Sequence, residues 1–97
     1  MHNRQKDEII RDILHSAQGG ASITRIMFHA HLTHSQAREY TDGLINNGLL
    51  ELDIGHGSLK QYRTTPKGLE YLGAAEKISD LLSIHVKRAV KGTAFLF

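Results

Sequence analysis

Three histidines lie within six positions of the sequence, directly ahead of a segment with helical character. Residues 28–40 read FHAHLTHSQAREY, and the imidazoles belong to His29, His31 and His34. Histidine binds metals, transfers protons in catalysis and, through its ring nitrogens, contacts other polar groups. The cluster is therefore compatible with a metal site, a catalytic centre or a turn that contacts DNA.

A metal site at this cluster needs three or four ligands that converge on one point. His29 and His31 flank Ala30 at the expected end of a helix, where helical geometry turns their side chains about 200° apart. The chain contains no cysteine, and no acidic residue lies between Phe28 and Arg38. We therefore expect exposed turn residues here, with no metal and no other cofactor.

A catalytic centre lacks support in the sequence. No nucleophile with an orienting partner accompanies the histidines. The segment Gly55-His56-Gly57 is too short to form a phosphate-binding loop. We therefore expect a protein that is not an enzyme, and contact with DNA depends on the elements that position the cluster.

Length and charge limit the class of protein. A chain of 97 residues predicts one domain. Its N-terminus lacks the apolar stretch of a secretory signal, and no run is long and apolar enough to span a membrane, so we expect a cytoplasmic protein. The formal net charge is +2, with residues 1–65 balanced and the excess in residues 66–97. This charge permits binding to nucleic acid without requiring it.

Three helices are predicted in the first half of the chain. Apolar residues at helical spacing form the first helix, which ends at Gly19-Gly20. Ser22 is placed to cap a short second helix, although residues 21–23 could instead form a short strand. The third helix has the clearest start, because Thr33 and Gln36 have the spacing of a capping box, and Gly48 is suited to end it.

A hairpin and a long helix are predicted in the second half. Leu50, Leu52 and Ile54 alternate with acidic residues, residues 55–58 have turn chemistry, and residues 59–64 return as a second strand. Thr65-Pro66 then opens a helix that continues to about Lys91. The predicted fold class is mainly α with a small β-hairpin (α+β), namely a winged helix-turn-helix with a long C-terminal helix.

The sequence resembles a known family over about residues 8 to 75. The runs ITRIMFHAHLTHSQAREYTDGLINNGLLE and QYRTTPKGLEYL are similar to the archaeal winged helix-turn-helix DNA-binding proteins of about ten kilodaltons. The matching positions are Thr24-Arg25-Ile26-Met27-Phe28, Ala30, Leu32-Thr33, Tyr40, Leu44, Gly48-Leu49-Leu50, Tyr62, Thr65, Lys67-Gly68 and Tyr71-Leu72. Thr64 departs from the pattern, since the family commonly has an apolar residue there. The resemblance implies DNA binding by a dimer joined through the C-terminal helix.

Helix 3 of a helix-turn-helix enters the major groove by its N-terminal end, so the histidine cluster marks the start of a recognition helix. Gln36 is suited to adenine and Arg38 to guanine, whereas Arg25, which belongs to the family motif, is expected on a phosphate. Glu39 and Asp42 limit the contact to the first two turns. The full set of predicted DNA-binding residues is Arg25, Thr33, His34, Ser35, Gln36, Arg38, His56, Ser58 and Lys60.

The last helix carries an apolar stripe with the alternation of four and three that is typical of coiled coils. The predicted dimerisation residues are Tyr71, Ala75, Ile78, Leu82, His85 and Ala89. Within one structural domain, residues 1–65 are thus the DNA-binding core and residues 66–97 the dimerisation helix and tail. The alternative is a helix that folds back along its own domain.

The sequence therefore predicts a homodimeric protein that binds double-stranded DNA. Its role would be that of a transcriptional regulator or of a nucleoid-associated protein. The alternative is a winged helix used for protein–protein assembly with little affinity for DNA, which the balanced charge of residues 1–65 supports.

Overall fold

The computed structural model describes the backbone of residues 6–54 and 59–93 and the side chains of residues 6–54 and 59–82. Its elements are α1 (Lys6–Ser16), α2 (Ile23–Ala30), α3 (His34–Asn46), β1 (Leu50–Ile54), β2 (Lys60–Thr64) and α4 (Pro66–Thr93). The predicted order of three helices, a hairpin and a long final helix is confirmed. The fold class is also confirmed as mainly helical α+β.

The core lies where α1, α2 and α3 meet the base of the hairpin. Ile13, Leu14 and Ile26 are fully buried at its centre. The rest of the buried apolar set consists of Ala17, Ala21, Ala30, Ala37, Leu44, Leu50, Tyr62 and Leu72. Small alanine side chains let the short helices approach closely, so a chain of this size closes one well-packed core.

Strand β2 completes the C-terminal end of α1. The Thr64 backbone N–H donates to the Ala17 carbonyl at 3.0 Å, and the Thr64 hydroxyl donates to the Leu14 carbonyl at 2.7 Å. The last carbonyls of a helix lack partners within the helix, and a buried carbonyl without a partner is costly. Thr64 is buried and makes both bonds, which explains a hydroxyl at a position where the resemblance predicts an apolar residue.

The segment that could have formed a strand before α2 makes a single bridge. Ala21 and Tyr62 exchange two backbone hydrogen bonds, of 2.9 and 2.7 Å, and α2 begins at Ile23. The bridge ties the base of the hairpin to the entrance of α2. It therefore fixes the hairpin relative to the helices that follow α1.

The two strands pair antiparallel, from Leu50 opposite Thr64 to Ile54 opposite Lys60. Only the base of the hairpin is buried, where Leu50 and Tyr62 join the core. The predicted hairpin is confirmed, and its turn, residues 55–58, lies outside the described residues.

Helix α4 begins against the end of α3. The Thr65 hydroxyl accepts from the Gly68 N–H at 3.1 Å and donates to the Gly48 carbonyl at 2.6 Å. Gly68 lies directly against the Leu49 carbonyl, so this position has no room for a side chain. The predicted start at Thr65-Pro66 is confirmed, and the helix extends two residues beyond the predicted end.

The first half of α4 packs on α1 and β2. From Ile78 to Leu82 the apolar side chains are exposed, because the helix has passed the end of the core. The described part of α4 therefore does not fold back over its own domain along this face. No helix among the described residues is long and apolar enough to cross a membrane.

Candidate nucleic-acid interface

Helices α2 and α3 are joined by a three-residue turn whose two ends are both capped. At the start of α2, the Ser22 hydroxyl accepts from the Arg25 N–H at 3.2 Å. At the start of α3, Thr33 and Gln36 form the predicted capping box, with bonds of 3.1 and 2.9 Å. Such caps satisfy backbone N–H groups that have no partner within the helix. The angle between the two helices is thus determined locally by the sequence of the turn.

His31 ends α2 in the left-handed conformation, with φ 58° and ψ 50°. It is the only residue other than glycine with positive φ in the described part of the chain. Its backbone N–H and that of Leu32 both donate to the Met27 carbonyl, which closes the last turn of α2. Histidine adopts this conformation more readily than β-branched residues do. The middle histidine of the cluster therefore serves as a helix terminus, a role that the sequence pattern did not indicate.

The three histidine side chains are exposed and belong to different parts of the turn. His29 lies on α2 with its ring edge-on to Phe28, at 6.3 Å between ring centroids, and His34 is the first residue of α3. Within the described residues no group of three histidine, cysteine, aspartate or glutamate side chains is arranged to hold a metal. The structure does not bring the imidazoles together on one point.

Helix α3 presents a polar face opposite the core. Ala37, Thr41 and Leu44 are buried beneath it. The exposed residues are His34, Ser35, Arg38, Glu39, Asp42 and Asn46. The first two turns carry the donors and the one arginine, and the two acidic residues follow. This distribution favours contact with an anionic partner through the N-terminal end of the helix, where the dipole is also positive.

Two of the predicted DNA-contacting residues already have a structural task. The Gln36 side-chain oxygen accepts from the Thr33 N–H, and the Thr33 hydroxyl accepts from the Gln36 N–H. Two-point pairing of Gln36 with adenine would require its carbonyl oxygen and its amide together. The capping bond occupies that oxygen, so Ser35 and Arg38 have the greater freedom to contact a base edge.

The outward face of α2 carries Arg25 together with Phe28. Both side chains are exposed, and Phe28 keeps 80% of its surface in solvent. The buried face of the same helix is formed by Ile26 and Ala30. The sequence analysis singled out Arg25 and treated Phe28 only as part of the family pattern. Because the apolar stripe of α2 is narrow, the exposure of Phe28 follows from helical spacing and could have been found there.

Of the three predicted residues on the wing, the structure describes one. Lys60 is exposed at the start of β2, directly opposite Ile54. His56 and Ser58 lie outside the described residues. These two positions remain sequence-based predictions.

The predicted dimerisation stripe begins in an open groove between α1 and α4. Tyr71 and Ala75 are half-buried in this groove, whereas Ile78 and Leu82 are exposed at its outer end. The Arg11 side chain also lines the groove, and its Nε atom is buried without a hydrogen-bond partner. His85 and Ala89 lie on the part of α4 whose side chains are not described.

Three helices, a tight capped turn between the second and third, and a hairpin that follows the third define a winged helix-turn-helix. The family model of the winged helix-turn-helix matches residues 3–83. The chain therefore belongs to the winged helix-turn-helix family.

A solved structure is similar to this chain over almost the whole of both molecules. It is Sso10a-2, a DNA-binding protein from Sulfolobus solfataricus, with a TM-score of 0.79 and 26% sequence identity. The likeness covers 97% of this chain and 98% of that chain. Comparison with curated protein sequences gives no significant match. The resemblance inferred from the sequence is thus confirmed at the level of the family and fold, whereas dimerisation stays a prediction.

Proposed function

We propose that this protein is a homodimeric regulator or organiser of double-stranded DNA and acts by binding rather than by catalysis. The observation that carries the proposal is the exposed N-terminal end of α3, which the capped turn holds against a fully packed core. A rigid helix that projects polar side chains from its first two turns fits the width of the major groove. Membership of the winged helix-turn-helix family and the likeness to a DNA-binding protein support the same function.

The distribution of charge on α3 determines how deeply it enters the groove. His34 and Ser35 meet the DNA first, and Arg38 follows one turn later on the same exposed surface. Glu39 and Asp42 would be repelled by phosphates if the helix lay flat along the groove. The helix therefore enters by its end, and Arg38 supplies the base contact, with guanine as the preferred partner.

Arg25 is proposed as a phosphate contact from α2. It is exposed on the outward face of that helix, which crosses the DNA backbone in a helix-turn-helix. Lys60 on the wing supplies a further cation on the other side of α3. Contacts of this kind orient the protein on the duplex and carry no sequence information.

The dimer is proposed to form through α4. Ile78 and Leu82 are too exposed for the interior of a single subunit, and a second α4 laid along the groove would cover them. The same helix would also enclose the buried Arg11 Nε, which lacks a hydrogen-bond acceptor within the described part of its own chain. A buried donor without an acceptor is costly, so an acceptor from the partner is favoured.

Charge along α4 favours an antiparallel pair. Residues 66–80 contain Glu70, Glu76 and Asp80 against two lysines, whereas residues 81–93 contain three basic residues and no acidic one. Antiparallel pairing places the acidic half of one helix beside the basic half of the other. The two DNA-binding ends would then lie at opposite ends of the helix pair.

A salt titration of binding to duplex DNA tests the proposal. If Arg25, Arg38 and Lys60 of both subunits contact phosphates or bases, the logarithm of the association constant should fall against the logarithm of salt with a slope of about −5. Arg25→Ala should flatten the slope and weaken binding to all sequences alike. Arg38→Ala should weaken a preferred site by about 1–3 kcal/mol more than it weakens random DNA.

A second function, protein–protein assembly with little DNA affinity, is favoured by one observation. Two acidic side chains, Glu39 and Asp42, stand exposed on the face that would meet DNA. In that case wild type would bind duplex DNA no more tightly than a variant in which Arg25 and Arg38 are both replaced by alanine. Equal and weak binding at low salt would support assembly and contradict the DNA proposal.

A further inference from the structure

The two faces of the wing have different chemistry. Paired residues in an antiparallel ladder share a face, so Glu51, Asp53, Gln61 and Arg63 lie on one side of the hairpin. On that side the Arg63 guanidinium approaches the Asp53 carboxylate at 3.6 Å. The acidic residues of the wing are thus gathered on one face, where a cation of the same face is beside them.

The opposite face is apolar and carries a single cation. It starts at the buried pair Leu50 and Thr64 and continues outward through Leu52 and Ile54, with Lys60 opposite Ile54. Leu52 is 41% exposed and Ile54 59%, and Leu59, next to Lys60 at the outer end of the wing, is 70% exposed. We refer to Leu52, Ile54 and Leu59 as the apolar strip. A contiguous exposed set of large apolar side chains indicates a contact surface, because scattered single residues would not form one.

The position of the strip indicates which partner it meets. Strand β1 follows α3 after a short turn and packs on it, so the wing stands beside the helix that is proposed to enter the major groove. The face that bears the strip carries Lys60 and, among its described residues, no carboxylate. An apolar surface with a cation and without anions suits DNA, whose groove walls are sugars and whose rims are phosphates.

We propose that the apolar strip enters the minor groove as a wedge that partly unstacks one base step and bends the duplex. Aliphatic side chains inserted between base steps produce kinks of about 20–90° in other minor-groove binders. Lys60 would hold the adjacent phosphate, and Ile54 and Leu59 would supply the wedge. The inference rests on the proposed DNA-binding function, to which it adds a change in DNA shape. Sites with flexible pyrimidine–purine steps under the wing would be favoured.

The test measures the bend of a short duplex by energy transfer between dyes at its two ends, with the full-length protein. Wild type should raise the transfer efficiency above that of free DNA. The double variant Ile54→Thr, Leu59→Thr keeps β-forming residues on the wing and should leave the bound duplex nearly straight, with about tenfold weaker binding and an unchanged salt slope. The control Gln61→Thr changes an exposed residue on the opposite face and should bend DNA as wild type does.

The outcomes separate the two proposals. If wild type does not bind duplex DNA even at low salt, the proposed function fails and the wedge fails with it. If wild type binds with the expected salt slope and leaves the DNA straight, or if the double variant bends it equally, the function stands and the wedge is overturned. Loss of cooperativity between bound dimers, with the bend retained, would assign the strip to contacts between copies and would also overturn it. Lys60→Ala should reduce the salt slope and preserve the bend.

Discussion

Replacing Ile78 and Leu82 by lysine should separate the proposed dimer without unfolding the DNA-binding domain. Both side chains are 59% exposed in the single chain, so they contribute little to its own core. Complete burial of an Ile or Leu side chain stabilises by about 1.5–3 kcal/mol. Covering the exposed part of both residues in both subunits therefore contributes about 4–7 kcal/mol, which is three to five powers of ten in the dimer dissociation constant.

The assay combines the solution mass with a DNA-binding measurement. Wild type should have the mass of a dimer at micromolar concentration, and the Ile78→Lys, Leu82→Lys variant should have that of a monomer. DNA affinity should fall further than in any single α3 variant, because linked binding ends act at a high effective concentration. Circular dichroism and thermal unfolding should show that the helices remain. If lysine disturbs them, Ile78→Ser, Leu82→Ser removes the apolar surface without adding charge.

A matched control separates the loss of apolar contact from the gain of charge. Gly73→Lys with Asp80→Asn adds the same two positive charges on the opposite, exposed face of α4. This control should stay dimeric. A wild-type protein that is already monomeric at micromolar concentration would refute the reasoning, as would a lysine variant that keeps the dimer mass.

Three further predictions concern the stability of the fold and are checked by chemical or thermal unfolding. Thr33→Ala removes the hydroxyl that accepts from the Gln36 N–H, and the free energy of unfolding should fall by about 1 kcal/mol. Thr64→Val leaves the Leu14 carbonyl without its buried donor and should cost about 1–3 kcal/mol; an unchanged stability would mean that water replaces the hydroxyl. Gly68→Ala places a methyl group 2.6 Å from the Thr64 Cγ2 atom and against backbone, and should destabilise by about 1–3 kcal/mol. Its control Gly73→Ala, with open space around the new methyl group, should stabilise by about 0.5–1 kcal/mol, and equal effects of the two would contradict the packing at Gly68.

Features that depend on neighbours in the chain could be predicted from the sequence. The capping box at Thr33, the cap at Ser22 and the start of α4 at Thr65 were all predicted, because a helix cap is a bond between residues two or three positions apart. The antiparallel hairpin followed from alternation on both sides of a turn. Where the bonding partners are near in sequence, pattern and structure agree.

The candidate interface was only partly accessible in this way. Helical spacing located the exposed face of α3, with Ser35 and Arg38 on it. It did not show that Gln36 spends its side-chain oxygen on the cap, although the capping box itself was expected. The role of His31 was missed as well, because a left-handed helix end is usually recognised by glycine. The three histidines drew attention as a group, and the structure gives them separate positions.

The sequence alone thus determined the order of the elements, their ends and the two faces of each helix, since these depend on local hydrogen bonds and on periodicity. Tertiary structure decided which apolar residues are covered. Leu50 and Ile54 have the same place in the alternation, and Leu50 is buried while Ile54 is exposed, because the core extends only to the base of the wing. The same holds for Leu72 and Leu82 on α4. Burial depends on atoms from distant parts of the chain, and the exposed members of these pairs are the surfaces on which we expect DNA and a second subunit to bind.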